Sequence, residues 1–360
     1  MLNFIKETES VWDNLRNTKK PIVLYGMGNG ADKIIDWCEA NSVKVSGIFA
    51  TDEFVRYQGF RGLIVEKYSD IITKFGSEIL IVIAFASERP EVLARFKELS
   101  DLHETVAPHL PLFPEKELVS NGWLSKNEER IAKVYELLED EKSKEVFACT
   151  LNYKLSGKLK YLFACETKRE DDLCEVFSWC DEERYLDLGA YNGDTVDEFL
   201  RLTDNKSQRI VAVEPDRRNA RKLRAKAEEL VKQGINVEVK ECGIGDTVGV
   251  MGFSDSGGRQ SPFVEASKAQ VQIETIDDLA DENGFTYIKF DVEGFEKQAL
   301  MGGEKTINEF APKLFVASYH YDEDLLRLPL LIKQINPLYK IYLRKHPYVP
   351  AWELNYLARV

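Results

Sequence analysis

Several features that would assign a class of protein directly are missing from this sequence of 360 residues. Its six cysteines include no C-x-x-C pair, and the four between Cys149 and Cys180 are irregularly spaced with no histidine among them. This spacing argues against a structural zinc site. Scattered cysteines of this kind are typical of reduced thiols in a cytosolic protein.

Long hydrophobic runs and an excess of positive charge are also missing. The longest apolar stretch is Ile79–Ala86, which is too short to span a bilayer, and the N-terminal stretch MLNFIKETES has no apolar core of the signal-peptide type. A formal net charge of −13 argues against duplex nucleic acid as a partner. We therefore expect a cytoplasmic protein with no membrane insertion and no nucleic-acid partner.

The most informative stretch is residues 185–195, with the sequence YLDLGAYNGDT. Its first four residues form an apolar run broken only by Asp187, and Gly189 and Gly193 follow before an amphipathic segment at 194–202. This pattern predicts a buried parallel strand, a glycine turn and the start of a helix. Glycines in such a turn let a ligand approach the backbone.

An acidic residue follows the next predicted strand. Residues 209–213 are apolar after the first position and lead into Glu214-Pro215-Asp216, with Glu214 21 positions after Gly193. An acid at the tip of the second strand is placed to hydrogen-bond the two hydroxyls of a ribose. This half of the chain is therefore predicted to bind a nucleoside.

Later motifs indicate which nucleoside. Residues 287–294 read YIKFDVEG, residues 312–320 read PKLFVASYH, and two extended runs at 339–344 and 353–358 are joined by a short loop. Together with LDLGAYNGDT and AVEPD, these motifs resemble the FkbM family of S-adenosylmethionine-dependent methyltransferases over about residues 176–360. The resemblance implies a class I methyltransferase (Rossmann-like) α/β fold, with a mostly parallel sheet and an antiparallel C-terminal hairpin.

The resemblance also implies a binding site for the cofactor, S-adenosyl-L-methionine. Cys242 and Ile244 follow the third strand, predicted at 237–240, where residues of class I methyltransferases lie against the adenine ring; an ordinary core position is the alternative for both. The residues expected to bind the cofactor are Asp187, Gly189, Ala190, Gly193, Asp194, Thr195, Glu214, Pro215, Cys242, Gly243, Ile244 and Asp291.

The expected catalytic residues are His320, Asp291 and Glu293. Asp291 and Glu293 follow one strand and His320 ends the next, so they meet at the carboxyl edge of the sheet. A histidine titrates near neutral pH, which favours His320 as the base that accepts the proton of a hydroxyl, with Asp291 orienting the acceptor or the cofactor. The preferred interpretation has no metal. In the alternative, these three residues bind a divalent metal that holds a diol.

A second, smaller Rossmann-like pattern occupies residues 1–115. Three predicted strands, at 22–25, 43–49 and 78–86, alternate with helical segments, and the first is followed by Gly26, Gly28 and Gly30. This part resembles the small nucleotide-sugar-binding domains of some sugar acetyltransferases and related enzymes. The glycines, together with Asp52, either admit a nucleotide or only form turns, and both interpretations stay open.

Prolines at positions 108, 111 and 114 mark a predicted boundary, which divides the chain into an N-terminal domain (1–115), a helical linker (116–175) and a methyltransferase domain (176–360). In the linker, Ser125 and Glu128 predict a capping box, and Gly157 is expected to end a helix. A polar loop at 254–261 is either a substrate-side loop or a hairpin tip.

The predicted function is O-methylation of a hydroxyl on a sugar, a glycan precursor or another small metabolite. The partner is therefore a small-molecule substrate, and a homodimer is compatible with the pattern. The first alternative is a nicotinamide-dependent sugar-modifying enzyme, because two Rossmann-like units would suit it. The second is a non-catalytic nucleotide-binding module that retains the fold.

Overall fold

The computed structural model describes residues 2–113, 117–253 and 269–360, so Pro114 and the polar loop at 254–261 lie outside the described residues. The chain divides into two compact units. The first consists of Met1–Ala132, Lys144–Thr167 and Lys345–Glu353, and the second of Lys133–Ser143, Lys168–Arg344 and Leu354–Val360. The helical segment 116–175 therefore contributes residues to both units.

The first unit contains a six-stranded sheet with the order β3-β4-β2-β1-β5-β6. Its pairings are parallel except for the β3–β4 hairpin, which confirms the predicted Rossmann-like architecture. The hairpin and helix α3 were not predicted, because such short elements carry little periodicity. The elements are β1 (Ile22–Tyr25), β2 (Val45–Phe49), β3 (Gly59–Phe60), β4 (Leu63–Glu66), β5 (Leu80–Ile83), β6 (Glu104–Val106), α1 (Val11–Asn17), α2 (Asn29–Ala40), α3 (Tyr68–Phe75) and α4 (Pro90–Leu102).

The glycine turn after β1 is closely packed. A Cβ atom on Gly26 would lie 2.3 Å from the Phe85 ring, and one on Gly30 would lie 2.2 Å from the carbonyl oxygen of Ala84. Both glycines are thus required by packing against the segment after β5. Binding of a nucleotide at this turn stays a prediction.

Five helices follow the first sheet: α5 (Asn121–Lys126), α6 (Glu128–Leu137), α7 (Glu141–Ser156), α8 (Lys160–Cys165) and α9 (Arg169–Val176). The capping box predicted at Ser125 is wrong. Ser120 caps α5, whereas Ser125 lies inside that helix and its hydroxyl donates to the carbonyl oxygen of Asn121. The prediction that Gly157 ends α7 is confirmed, since it has a φ of +67° and its N–H donates to Tyr153 O at 2.7 Å.

The second unit contains a seven-stranded sheet with the order β15-β16-β14-β13-β7-β8-β9. The five strands from β14 to β9 are parallel, and β16 pairs antiparallel with β14. This arrangement confirms the predicted class I methyltransferase sheet with its antiparallel C-terminal hairpin. The strands are β7 (Arg184–Leu188), β8 (Arg209–Val213), β9 (Val237–Lys240), β13 (Tyr287–Phe290), β14 (Lys313–Ala317), β15 (Lys340–Lys345) and β16 (Leu354–Arg359).

A small three-stranded sheet, which was not predicted, follows β9. It has the order β10-β12-β11, with β10 (Gly243–Ile244), β11 (Gly249–Phe253) and β12 (Ala269–Glu274). The helices of the second unit after α9 are α10 (Asp194–Leu202), α11 (Arg217–Lys232), α12 (Ile276–Leu279), α13 (Glu296–Met301), α14 (Glu304–Phe310) and α15 (Asp324–Ile335).

Aromatic rings pack on one face of the central strands. Tyr185 of β7 and Tyr287 of β13 are register partners, and their rings stack with centroids 4.8 Å apart. Phe199 of α10 stacks on Tyr185 at 4.5 Å. Because such rings bury large apolar areas, this cluster fixes β7, β13 and α10, whose ends carry the candidate site.

Candidate active site

The strand register brings the predicted site residues to one edge of the second sheet. Leu188, the last residue of β7, pairs with Phe290 of β13 and Val213 of β8. The residues that follow these three are Gly189, Asp291 and Glu214. They therefore lie at the same level, at the carboxyl ends of parallel strands where open α/β sheets bind ligands.

The first glycine of the turn is required by the neighbouring strand. Gly189 has a φ of +79°, and a Cβ atom there would lie 1.9 Å from the carbonyl oxygen of Asp291. The N–H groups of Gly189 and Ala190 both donate to Val213 O, at 3.1 and 2.9 Å. The start of this turn thus joins the ends of β7, β8 and β13 through its backbone.

The second glycine, Gly193, precedes α10 with a φ of +86°, and a Cβ there would lie 2.8 Å from the side chain of Lys226. Asp194 is exposed, and its carboxylate accepts the N–H of Thr195 at 2.9 Å. The Asp194 N–H in turn donates to the side chain of Asn192 at 3.2 Å. These contacts are local, and the N-cap residue Gly193 gives α10 no side-chain cap.

A buried ion pair lies beneath the turn. The Asp187 carboxylate lies 3.1 Å from the Lys289 ammonium and accepts the Thr195 hydroxyl at 2.6 Å. Burial lowers the pKa of Lys289, but Asp187 and Asp291 outweigh it and leave that pKa raised, so the ammonium stays charged. Lys289 was missed from the sequence. The signal was present, because two charged residues of opposite sign interrupt neighbouring apolar strands in register.

Glu214 is held at the tip of β8 by backbone donors. Its Oε2 accepts the Tyr191 N–H at 2.8 Å and its Oε1 accepts the Asp216 N–H at 2.9 Å. Only 6% of the residue is exposed, and this burial raises the pKa of Glu214 to about 7. Each oxygen keeps a further lone pair, so the carboxylate has the acceptor capacity that a pair of ribose hydroxyls needs.

The residues expected against adenine are buried after β9. Cys242 and Ile244 have almost no exposed surface, and Gly243 pairs with Ile273 of β12. Burial, with a contribution from Glu274, raises the pKa of the Cys242 thiol to about 12, so it stays neutral. The sequence predicted apolar positions here but not the strand pairing that holds them.

The three predicted catalytic residues are brought together. His320 Nε2 lies 3.4 Å from Glu293 Oε2 and 3.7 Å from Asp291 Oδ1. His320 is 1% exposed, whereas the side chains of Asp291 and Glu293 remain 32% and 28% exposed. The carboxylates therefore form the accessible side of this cluster. Tyr319 also contributes, since its hydroxyl donates to Asp291 Oδ1 at 3.0 Å.

The backbone conformation after β13 sets the direction of the Asp291 and Glu293 side chains. Glu293 adopts a φ of +53°, which is uncommon for a residue with a side chain and costs of order 1–3 kcal/mol. Gly294 follows at +94°, and a Cβ there would lie 2.6 Å from the Tyr321 ring. The last residues of the DVEG motif thus form a tight turn that only glycine completes.

Glu296 is a further member of the cluster that the sequence did not reveal. Its Oε1 lies 3.0 Å from His320 Nδ1 and accepts the Val292 N–H at 2.9 Å. Glu296 is fully buried at the start of α13. In the sequence it resembles an ordinary acidic residue in the first turn of a helix, which is why it carries no separate signal.

The electrostatics of the cluster count against His320 as the base, a role that stays a prediction. Burial lowers the pKa of His320, but the carboxylates of Glu296 and Glu293 outweigh it and raise that pKa well above its ordinary value. With no cation bound, the ring is therefore protonated at neutral pH and has no lone pair to accept a proton. Burial also raises the pKa of Glu293 although His320 opposes it.

Taken together, a seven-stranded sheet with a final antiparallel strand, a glycine turn and an acid at the tip of the second strand define a class I methyltransferase fold. Within that class, the profile described as the Methyltransferase FkbM domain matches residues 187–338. Residues 187–338 are thus similar to the FkbM methyltransferase domain.

Solved structures agree on the fold. Methyltransferase FkbM from Methylobacillus flagellatus KT matches with a TM-score of 0.75 and 20% identity, covering 99% of this chain and 94% of that chain. Fibrillarin from Aeropyrum pernix, solved with S-adenosyl-L-methionine, matches at a TM-score of 0.33 and 12% identity, covering 53% of this chain and 73% of its own. The likeness to fibrillarin is too low to support an argument.

No curated protein sequence matches this chain. Across the described residues, no helix combines the length and apolarity needed to cross a membrane.

Proposed function

We propose that this protein is an S-adenosylmethionine-dependent O-methyltransferase acting on a hydroxyl of a sugar, a glycan precursor or another small metabolite. The observation that supports this most strongly is the placement of Glu214 and the Asp291–Glu293 turn at the same edge of one sheet. The cofactor would supply the methyl group. Much of the rate gain in such a displacement comes from holding donor and acceptor in line.

The chain offers the cofactor both polar and apolar contacts. Glu214 would accept the ribose hydroxyls, and the residues around Gly243 would face the adenine ring. The remaining proposed contacts come from the ends of β7, β8 and β13 and from the start of α10: Asp187, Gly189, Ala190, Gly193, Asp194, Thr195, Pro215 and Asp291. Glu214 is a buried carboxyl group whose oxygens can accept further hydrogen bonds, which fits a ligand that donates them.

We assign the proton acceptor to Glu293 instead of His320. Asp291 already accepts the Tyr319 hydroxyl, and its other oxygen lies 4.0 Å from the Lys289 ammonium. Both oxygens of Asp291 therefore already have a partner. The Glu293 side chain is 28% exposed, so an acceptor hydroxyl can reach its carboxylate. His320 is then a positioning residue that holds the two carboxylates apart.

A thermal-shift experiment tests the cofactor and separates the alternatives. S-adenosylhomocysteine at 100 times its dissociation constant should add roughly 2.7 kcal/mol of stability, whereas NAD and NADP should add nothing. Stabilisation by NAD alone would instead support a nicotinamide-dependent enzyme. Binding of S-adenosylhomocysteine without methyl transfer to any member of a sugar and polyol panel would favour a non-catalytic module.

Cytoplasmic location, a homodimer and a nucleotide ligand for the first unit stay predictions.

A further inference from the structure

We propose that the cluster around His320 binds one divalent cation. Asp291, Glu296 and His320 offer donor atoms that all lie within 4.8 Å of one another. Glu293 adds a fourth group, 3.4 Å from His320 Nε2. This proposal concerns a ligand of the site and is independent of which acceptor the enzyme methylates.

The contacts of the imidazole ring decide which atoms bind the cation. Glu296 lies against Nδ1, and one ion does not bind both nitrogens of the same ring. The cation therefore binds Nε2, and the carboxylate oxygens within reach of that nitrogen are Asp291 Oδ1 and Glu293 Oε2. Separations of 3.4 and 3.7 Å between Nε2 and these oxygens suit donors that each lie about 2.1 Å from a shared ion.

Glu296 occupies the position of a residue that orients a metal-binding histidine. Histidine ligands usually donate their other ring N–H to a carboxylate, which fixes the tautomer and raises the basicity of the ligand nitrogen. Glu296 Oε1 lies 3.0 Å from Nδ1 on a fully buried side chain, a separation that suits this contact. Its own position is fixed by the Val292 N–H.

The charge of the cluster supports a cation. Asp291, Glu293 and Glu296 bring three carboxylates to one imidazole, so the acids are in excess even when the ring is protonated. Lys289 lies 4.0 Å from Asp291 but closer, at 3.1 Å, to Asp187. A divalent cation would replace the proton of Nε2 and reduce this excess. Carboxylates with one imidazole suit Mn²⁺, and the partial exposure of Asp291 and Glu293 leaves room for water or an acceptor hydroxyl as further ligands. Glu293 would bind through one oxygen and keep the other for the proton.

Binding of Mn²⁺, followed by the loss of its free-ion electron paramagnetic resonance signal, tests this proposal without any acceptor. His320→Gln and Asp291→Asn should each raise the Mn²⁺ dissociation constant at least tenfold. Glu296→Gln should raise it about 10–100-fold through loss of the orienting contact. Glu282→Gln, at an exposed acid elsewhere in the same unit, is the matched control and should leave it unchanged.

Circular dichroism and urea unfolding serve as the check that each variant is folded, because Asp291 is also a proposed contact of the cofactor. Wild-type protein that binds Mn²⁺, Mg²⁺ and Zn²⁺ no more tightly than about 1 mM, the weak end of functional cation sites, would overturn the proposal. So would Mn²⁺ binding that survives both His320→Gln and Asp291→Asn. Because cofactor binding is measured separately, either result would leave the proposed methyltransferase function standing.

Discussion

At the scale of single residues, Glu214 carries the sharpest consequence, because it is a buried acid with two backbone donors and no ion pair among the described residues. Its pKa rises from 4.5 to about 7 on folding. Below pH 4.5 both states hold the proton. Between pH 4.5 and about 7 only the folded state holds it, so stability falls as the pH rises through this window, by about 3 kcal/mol in total.

Glu214→Gln should therefore become more stable relative to wild type as the pH is raised from 5 to 8, because glutamine stays neutral. Urea unfolding of both proteins at each pH measures the difference, and titrating groups shared by the two cancel. The same variant should bind S-adenosylhomocysteine more weakly, with about 1.5–3 kcal/mol lost for each charged hydrogen bond to ribose. A stability difference that does not change with pH would mean that Glu214 is already ionised in the folded protein at pH 5.

At the scale of the element, the glycine turn after β7 joins strands as much as it admits a ligand. Gly189→Ala should cost about 2–5 kcal/mol, combining a left-handed backbone with a Cβ that would lie 1.9 Å from Asp291 O. Gly234→Ala is the matched control, since Gly234 has a φ of +87° and open space around it. It should cost only the backbone part, about 1–2 kcal/mol.

Chemical denaturation measures both changes, and calorimetry with S-adenosylhomocysteine measures their effect on the site. Gly189→Ala should also weaken binding, because it displaces the segment that carries Asp291. Gly234→Ala should bind normally. Equal destabilisation by the two substitutions would show that the contact with Asp291 relaxes at no cost.

Part of the site could be predicted from the sequence, and part could not. The runs of β7, β8 and β13 are mostly apolar, interrupted at Asp187 and Lys289, and their pattern predicted buried parallel strands, which placed Gly189, Glu214 and Asp291 at one edge. The role of His320 was not predictable in the same way. Its charge depends on Glu296, whose contact with the ring is set by the packing of α13 and not by any local pattern.

At the scale of the whole molecule, the predicted boundary near residue 115 does not match the division into compact units. Tyr153, Leu159, Leu162 and Val349 pack in one hydrophobic cluster with Val23 and Ile81 of the first sheet. These residues come from three separate parts of the sequence. The proline-rich segment marked a change in pattern, but the packing that defines the unit involves distant residues.

A protein that begins at residue 120 should therefore be insoluble or aggregated, because segments 144–167 and 345–353 would keep apolar surfaces whose partners are gone. Size-exclusion chromatography of this truncation beside the full chain measures the outcome. A monodisperse truncated protein that binds S-adenosylhomocysteine would instead show that these segments do not need the first sheet.

The course of the chain also bears on how the protein is made. The loop between β15 and β16, Lys345–Glu353, belongs to the first unit, although β1 is encoded more than 300 residues earlier. Domains ordinarily fold in order during synthesis, at about 5–20 residues per second. Here the first unit is incomplete until residue 353 has left the ribosome. The time between synthesis of the first strand and of this last segment is roughly 15–60 seconds at that rate. Folding of the earliest strands is thereby completed by one of the latest parts of the chain to be translated.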